Sequence, residues 1–156
     1  MSAVENSPRV TPFLWFDSNA EEAVDFYLGI FKNSRKLEEL RNPGEAPGPK
    51  GGILTLSFEL DGQRFTAMNG GPAFHFTEAV SFVVRCDSQA DVDYYWEKLT
   101  AGGQEIQCGW LKDKFGLCWQ IVPSQLPKLV RHPKAMQAMM KMKKIDLAEL
   151  ERAAQS

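Results

Sequence analysis

The sequence predicts an α+β fold, built from two paired βαβββ modules that form a curved-sheet cup and followed by short C-terminal helices. Three observations carry this. A strand-like run, an Asp-Ser pair and an amphipathic segment occur at TPFLWFDSNAEEAVDFYLGIF (residues 11–31) and again in the same order at SFVVRCDSQADVDYYWEKLTAGG (81–103). Asp17 and Asp87, Ser18 and Ser88, and Phe26 and Trp96 are each 70 residues apart. Further strand-like segments follow each copy. The modules are assigned to residues 8–72 and 73–125 and the tail to 126–156, within one structural domain overall.

Val10 to Phe16 is β-rich and apolar. Asp17 or Ser18 is placed to cap the next helix by accepting a backbone N–H. Ala20, Ala23, Val24, Tyr27, Leu28 and Phe31 recur at helical spacing. SRKLEELR (34–41) reads as a second strand. NPGEAPGPKGG (42–52) is too rich in Pro and Gly for a helix or central strand and reads as a mobile loop, either a flap or a surface connection. ILTLSFEL (53–60) alternates, with Leu54, Leu56, Phe58 and Leu60 on one face. Asp61-Gly62 is a hairpin signal, and QRFTAMN (63–69) is the returning strand, closed by Gly70-Gly71-Pro72.

The second copy keeps this order. AVSFVVRC (79–86) is a strand, Asp87-Ser88 a cap, and Val92, Tyr95, Trp96 and Leu99 mark a helix that stops at Gly102-Gly103. QEIQCGW (104–110) and LKDKFGLCWQIVP (111–123) supply the later strands. In the tail, Pro133 suits a first helical turn. Met136, Met139 and Met140 form an apolar stripe suited to packing, and Asp146 to Glu149 has capping-box spacing. Two short helices are expected there.

Composition narrows the function. The chain has 156 residues, 44% hydrophobic and 24% charged, as in an ordinary globular protein. A formal net charge of -2 supplies no general attraction for nucleic acid or an anionic membrane. No apolar run approaches a membrane span, and MSAVENSPRV lacks the features of a secretory signal. These readings place the chain in the cytoplasm. Cys86, Cys108 and Cys118 are odd in number, form no CxxC pair and sit among apolar neighbours, which favours buried free thiols over disulfides or nucleophiles. His75 and His132 are the only histidines. His75 lies in the Gly-Pro linker and reads as a surface residue.

Paired βαβββ units resemble the vicinal oxygen chelate superfamily, which includes glyoxalase I, extradiol dioxygenases and bleomycin-resistance proteins. TPFLWFDSNAEEAVDFY, FTAMNGGPAFHFTEAVSFVV, CGWLKDKFGLCWQIVP and AMQAMMKMKKIDLAELERA resemble its PhnB-like branch, often labelled 3-demethylubiquinone-9 3-methyltransferase domain. The resemblance spans about Pro8 to Ala154. It implies a cup that holds a small molecule and a homodimer, with a domain-swapped cup as a variant. Enzymes of the superfamily carry a divalent metal held by His, Glu or Gln on the first and last strand of each unit. The family pattern puts those positions at Thr11, Thr66, Ser81 and Gln120, with Val10 and Val80 as register neighbours.

Three hydroxyls and one amide are a poor shell for zinc, iron or nickel. The expectation is therefore a small-molecule ligand, no metal or other cofactor, and no assigned catalytic residue. Alternation along strands adds Phe13 and Trp15 to Thr11, Met68 to Thr66, and Val83 and Arg85 to Ser81. Ser57 stands on the polar face of its strand beside Thr55, and Trp110 and Trp119 are close to the last strands. The expected cavity residues are Thr11, Phe13, Trp15, Ser57, Thr66, Met68, Ser81, Arg85, Trp110 and Gln120. The alternatives are a metal-dependent lyase or dioxygenase and the methyltransferase of the family label. No Gly-rich turn joins a parallel strand to a helix here, as a nucleotide-like cofactor needs.

Overall fold

A computed structural model describes residues 7–156. The chain divides into two compact units, one ending at His75 and the other beginning at Phe76. Each holds a four-stranded mixed sheet with a helix packed on one face.

The first unit runs β1 (Phe13–Phe16), α1 (Ala20–Ile30), β2 (Arg35–Arg41), β3 (Ile53–Leu60) and β4 (Gln63–Asn69). Its strand order is β1-β4-β3-β2, with β1 parallel to β4 and the other pairs antiparallel. The hairpin expected at Asp61-Gly62 is present, with both residues at positive φ (47° and 86°), as a tight turn between twisted strands requires. Alternation sends Leu56, Phe58, Leu60, Phe65 and Ala67 to the helix side, where all are buried with Val24, Tyr27 and Ile30 of α1. Tyr27, Phe58 and Phe65 stack in series at 6.5 and 5.3 Å between ring centroids. Each fully buried side chain of this size contributes about 2 kcal/mol of transfer free energy.

The second unit runs β5 (Ser81–Cys86), α2 (Gln89–Thr100), β6 (Gln104–Glu105), β7 (Trp110–Lys112) and β8 (Cys118–Pro123). Its order, β5-β8-β7-β6, repeats that of the first, again with its first and last strands parallel. Val92, Trp96 and Leu99 of α2 are buried, as are Val84, Leu111 and Ile121 of the sheet.

The repeat slips by one residue between strand and helix. Phe16 and Cys86, the last strand residues, keep the 70-residue offset, but the N-caps are Asn19 and Ser88, 69 apart. The buried aromatic equivalent to Trp96 is therefore Tyr27; Phe26 is only half-buried. Ser88 caps α2 as expected, accepting from Asp91 N–H at 3.2 Å. Asp17 and Ser18 do not cap α1. Asn69, from the end of β4, does so across the sheet: its Oδ1 accepts from Ala20 N–H at 2.8 Å while its Nδ2 donates to the Ile53 carbonyl at 3.0 Å.

The remaining segments depart from expectation for local reasons. The first strand starts at Phe13, not Val10. QEIQCGW is not one strand, because Cys108 (φ 59°) and Gly109 (φ 85°) turn through left-handed backbone between β6 and β7. The 42–52 loop is wound on one buried side chain. The Asn42 amide donates to the carbonyls of Ala46, Pro47 and Gly48 at 2.9, 3.1 and 3.1 Å and accepts from Gly44 and Ala46 N–H at 2.8 and 3.3 Å.

The tail forms three helices, α3 (Leu126–Leu129), α4 (Pro133–Met139) and α5 (Leu147–Ala154), and belongs to the second unit. Pro133 opens α4, and Asp146 caps α5 by accepting from Glu149 N–H at 3.1 Å. The expected Met stripe is not the core of the tail: Met136 and Met140 are exposed, and Ala135, Met142, Ile145 and Leu150 are buried instead. Cys108 and Gly109 N–H donate to the Met142 and Lys143 carbonyls, and the Gln89 amide clasps the chain at Ile145 and Leu147.

Candidate functional site

The register of the first sheet arranges the face opposite α1 as a grid. Phe13 stands beside Thr66, and Thr66 beside Ser57; the two hydroxyls lie 3.4 Å apart. One row further along are Trp15, Met68 and Thr55, with Leu40 at the β2 edge. The row on the other side is charged, with Arg64 opposite Glu59, which Arg35 holds at 3.0 Å.

A cavity of about 510 Å³ opens on this grid, lined by Thr11, Phe13, Thr55, Ser57 and Thr66. Arg9 and Arg64 join the lining from the segment before β1 and from β4, and Glu38, Glu39 and Leu40 from β2. That volume lies within the range that small organic ligands occupy. Four expected residues of the first unit, Thr11, Phe13, Ser57 and Thr66, thus meet at one cavity. Trp15 and Met68 share the face but do not line it. The Trp15 ring is committed to structure. Its Nε1 donates to the Gly71 carbonyl at 2.9 Å, it meets Phe74 edge-on at 4.9 Å, and it covers Gly70 so closely that a Cβ there would overlap the ring.

In the second unit the Gln120 amide donates to Ser81 Oγ at 2.9 Å. Val83 and Trp110 flank Gln120 in register on either side. Arg85 is exposed two positions beyond Val83. Trp119 points the other way. It is buried, and its Nε1 donates to the buried Asp113 carboxylate at 2.9 Å. That carboxylate also accepts from Phe115 and Leu117 N–H, which fixes the turn between β7 and β8.

A second recess, of about 320 Å³, lies between the 42–52 loop and the start of α1, where Asn42, Pro47 and Gly48 face Asp17, Glu21 and Asn69.

Nucleophilic chemistry has little support. Burial pushes the Cys86 thiol up to about 11 and raises that of Cys118, the reverse of what an activated thiolate requires. Cys108 is partly exposed, with its Sγ 3.8 Å from Met140 Sδ. His75 is exposed.

Sequence reasoning missed Arg64, Arg9, Glu38 and Leu40. Arg64 was within reach, because it shares parity with Thr66 and Met68 on β4. Glu38 was not, since β2 changes register between Lys36 and Glu39.

A scan against protein families matches residues 8–122 to the family described as 3-demethylubiquinone-9 3-methyltransferase. The chain belongs to this family, in the PhnB-like branch of the vicinal oxygen chelate superfamily. Among solved structures, this PhnB-like chain is similar to a putative 3-demethylubiquinone-9 3-methyltransferase, PhnB protein, from Bacillus cereus. Identity is 31%, the match covers 75% of this chain and 100% of that one, and the TM-score is 0.69. Protein PA1353 from Pseudomonas aeruginosa shares the fold at 22% identity, 75% and 98% coverage and a TM-score of 0.60. So does the fosfomycin resistance protein FosX from Listeria monocytogenes, complexed with Mn(II) and sulfate, at 17% identity, 80% and 97% coverage and a TM-score of 0.54. A comparison with curated proteins gives no match.

The superfamily's divalent metal does not fit the residues at the expected positions of this PhnB-like chain. Thr66 offers a neutral hydroxyl, and the Gln120 amide and Ser81 hydroxyl are bonded to each other. Among the described residues, no three His, Cys, Asp or Glu side chains converge as a metal set. Among the same residues, no helix is long and apolar enough to cross a membrane.

Proposed function

We propose that this PhnB-like protein binds a small organic molecule on the open sheet face of its first unit, without a metal ion. The observation that carries the reading is the cavity of about 510 Å³ over the Thr66–Ser57 hydroxyl pair. Thr55, Ser57 and Thr66 supply directional hydrogen bonds, and Phe13, 58% exposed, supplies a flat apolar contact. Neutral oxygens suit a polar organic ligand better than a transition metal, which draws its affinity from imidazole, thiolate or carboxylate. The expected homodimer and the Ser81, Arg85, Trp110 and Gln120 surface of the second unit belong to the same reading.

A second reading, a metal-dependent enzyme, takes its support from the FosX likeness and its Mn(II), which at 17% identity extends to the fold alone. The methyltransferase reading rests on the family's description. It has no Gly-rich strand-to-helix turn behind it.

The test is a fragment screen by amide NMR on protein purified without a His tag, together with elemental analysis. Binders that move the amides of Phe13, Ser57 and Thr66, lost in Thr66→Val/Ser57→Ala, are expected, with metal far below one equivalent. Stoichiometric transition metal, or fragments that bind the double variant unchanged, would overturn the proposal.

A further inference from the structure

The charges around the first unit's cavity are sorted by side. The strand order places β4 and β1 together and leaves β2 at the far edge, with β3 between β4 and β2. Arg64 on β4 and Arg9 before β1 line one side; Glu38 and Glu39 on β2 line the other. The hydroxyls of Thr66, Ser57 and Thr55 lie on β4 and β3, between the two charged margins. Two inter-strand steps separate β4 from β2, about 10 Å at the usual spacing.

The charges differ in how far they are already satisfied. Glu39 is held by Arg41 at 3.3 Å. The side chains of Glu38 and Arg9 have no hydrogen bond or ion pair among the described residues. Arg35 on β2 is paired with Glu59 on β3, so these two cancel, and the charges lining the β4 and β1 side are those of Arg64 and Arg9. A ligand with an anion alone would place its other end against Glu38, and one with a cation alone would meet two guanidinium groups.

On this basis, which rests on the open-face reading above, we infer that the cavity selects a dipolar ligand. Its carboxylate or phosphonate-type anion lies toward Arg64 and Arg9, and its ammonium toward Glu38. The polar middle of such a molecule lies over Thr66 and Ser57, and its aliphatic part contacts Phe13 and Leu40. A planar guanidinium offers an oxyanion two parallel N–H donors, which suits Arg9 and Arg64 to the anionic end of the ligand. Like-charge juxtaposition at either end rejects the monofunctional analogues.

The test compares 6-aminohexanoate, hexanoate and hexylammonium by amide NMR titration at low ionic strength. The zwitterion is expected to move the amides of Thr55, Ser57 and Thr66 and to bind about tenfold more tightly than either analogue, the equivalent of roughly 1.4 kcal/mol. Glu38→Gln reduces its affinity to that of hexanoate, and Arg64→Gln, with Arg9→Gln as a second variant, to that of hexylammonium. Added salt at about 0.5 M narrows the difference, since exposed charges are screened over a few ångströms there. Hexanoate binding as tightly as the zwitterion, or Glu38→Gln leaving zwitterion affinity unchanged, overturns the dipolar ligand class while the open-face site stands. Silence from all three probes also overturns it; the open-face reading falls with it only where the fragment screen leaves the same amides unmoved.

Discussion

Replacing Asn42 with alanine tests how the 42–52 loop is held. The side chain is 4% exposed, and its amide makes five contacts, three donated and two accepted. An amide nitrogen has two hydrogens, so the three carbonyls of Ala46, Pro47 and Gly48 share two donors. Four bonds at about 1 kcal/mol each set an upper limit of about 4 kcal/mol. Water can reach the freed groups of an otherwise exposed loop, which halves the expected global loss to about 2 kcal/mol. Asn42→Asp keeps the shape and one acceptor but turns a carboxylate oxygen toward three carbonyls, so it loses at least as much. Urea denaturation reads the global term. Hydrogen exchange at Gly44, Ala46, Gly51 and Gly52 reads the local one and is expected to accelerate by more than tenfold in Asn42→Ala. A loss below about 0.5 kcal/mol with unchanged exchange at Gly44 and Ala46 would refute the idea that one side chain organises the loop.

Three other predictions concern packing, capping and thiols. Gly70→Ala drives a methyl into the Trp15 ring and should cost about 1–3 kcal/mol in urea unfolding, with a shifted tryptophan emission; an unchanged midpoint would contradict the close approach. Asn69→Ala should cost about 2 kcal/mol and Asn19→Ala less than about 0.5, because the Asn69 side chain bonds the α1 N-terminus and the Asn19 side chain does not; equal losses in thermal unfolding would reverse the assignment. In the folded protein at pH 8, iodoacetamide should label Cys108 and spare Cys86 and Cys118. A thiol at about 11 is roughly one part in a thousand thiolate at that pH, and reactivity at Cys86 appears only as pH rises toward 11. Mass mapping that finds Cys86 labelled first would count against its burial.

Much of the fold was legible because its signals are local. The Asp61-Gly62 turn, the alternation of residues 53–60, the Ser88 cap, Pro133 and Asp146 each act within a few residues, and each is found where the pattern put it. What escaped depends on distant partners. The cap of α1 comes from Asn69, 49 residues away, so the nearby Asp17 and Ser18 were misleading. One missing residue between β5 and α2 shifted the helix alignment and paired Phe26 with Trp96 in error. The Pro/Gly run looked unstructured because its organiser, Asn42, shows no distinguishing mark in sequence. The Met stripe drew attention from Ile145 and Leu150, which the chain buries only after α4 ends and α5 folds back.

The site divides along the same line. The family pattern put Thr11 and Thr66, and alternation along the strands put Phe13 and Ser57, among the expected cavity residues, and these four line one cavity. Neither could say that Trp15 is spent on Gly70 and Gly71, or that Ser81 and Gln120 satisfy each other. The acidic margin was hidden by a register shift in β2, and its place across the sheet from Arg64 by a strand order that sequence does not reveal.

The deciding measurement is the affinity of one open-face binder, by amide NMR or calorimetry, before and after exhaustive treatment with EDTA. An unchanged affinity, with Thr66 and Ser57 amides still perturbed, is the predicted result; loss of binding on chelation, restored by adding back a divalent metal, would contradict it.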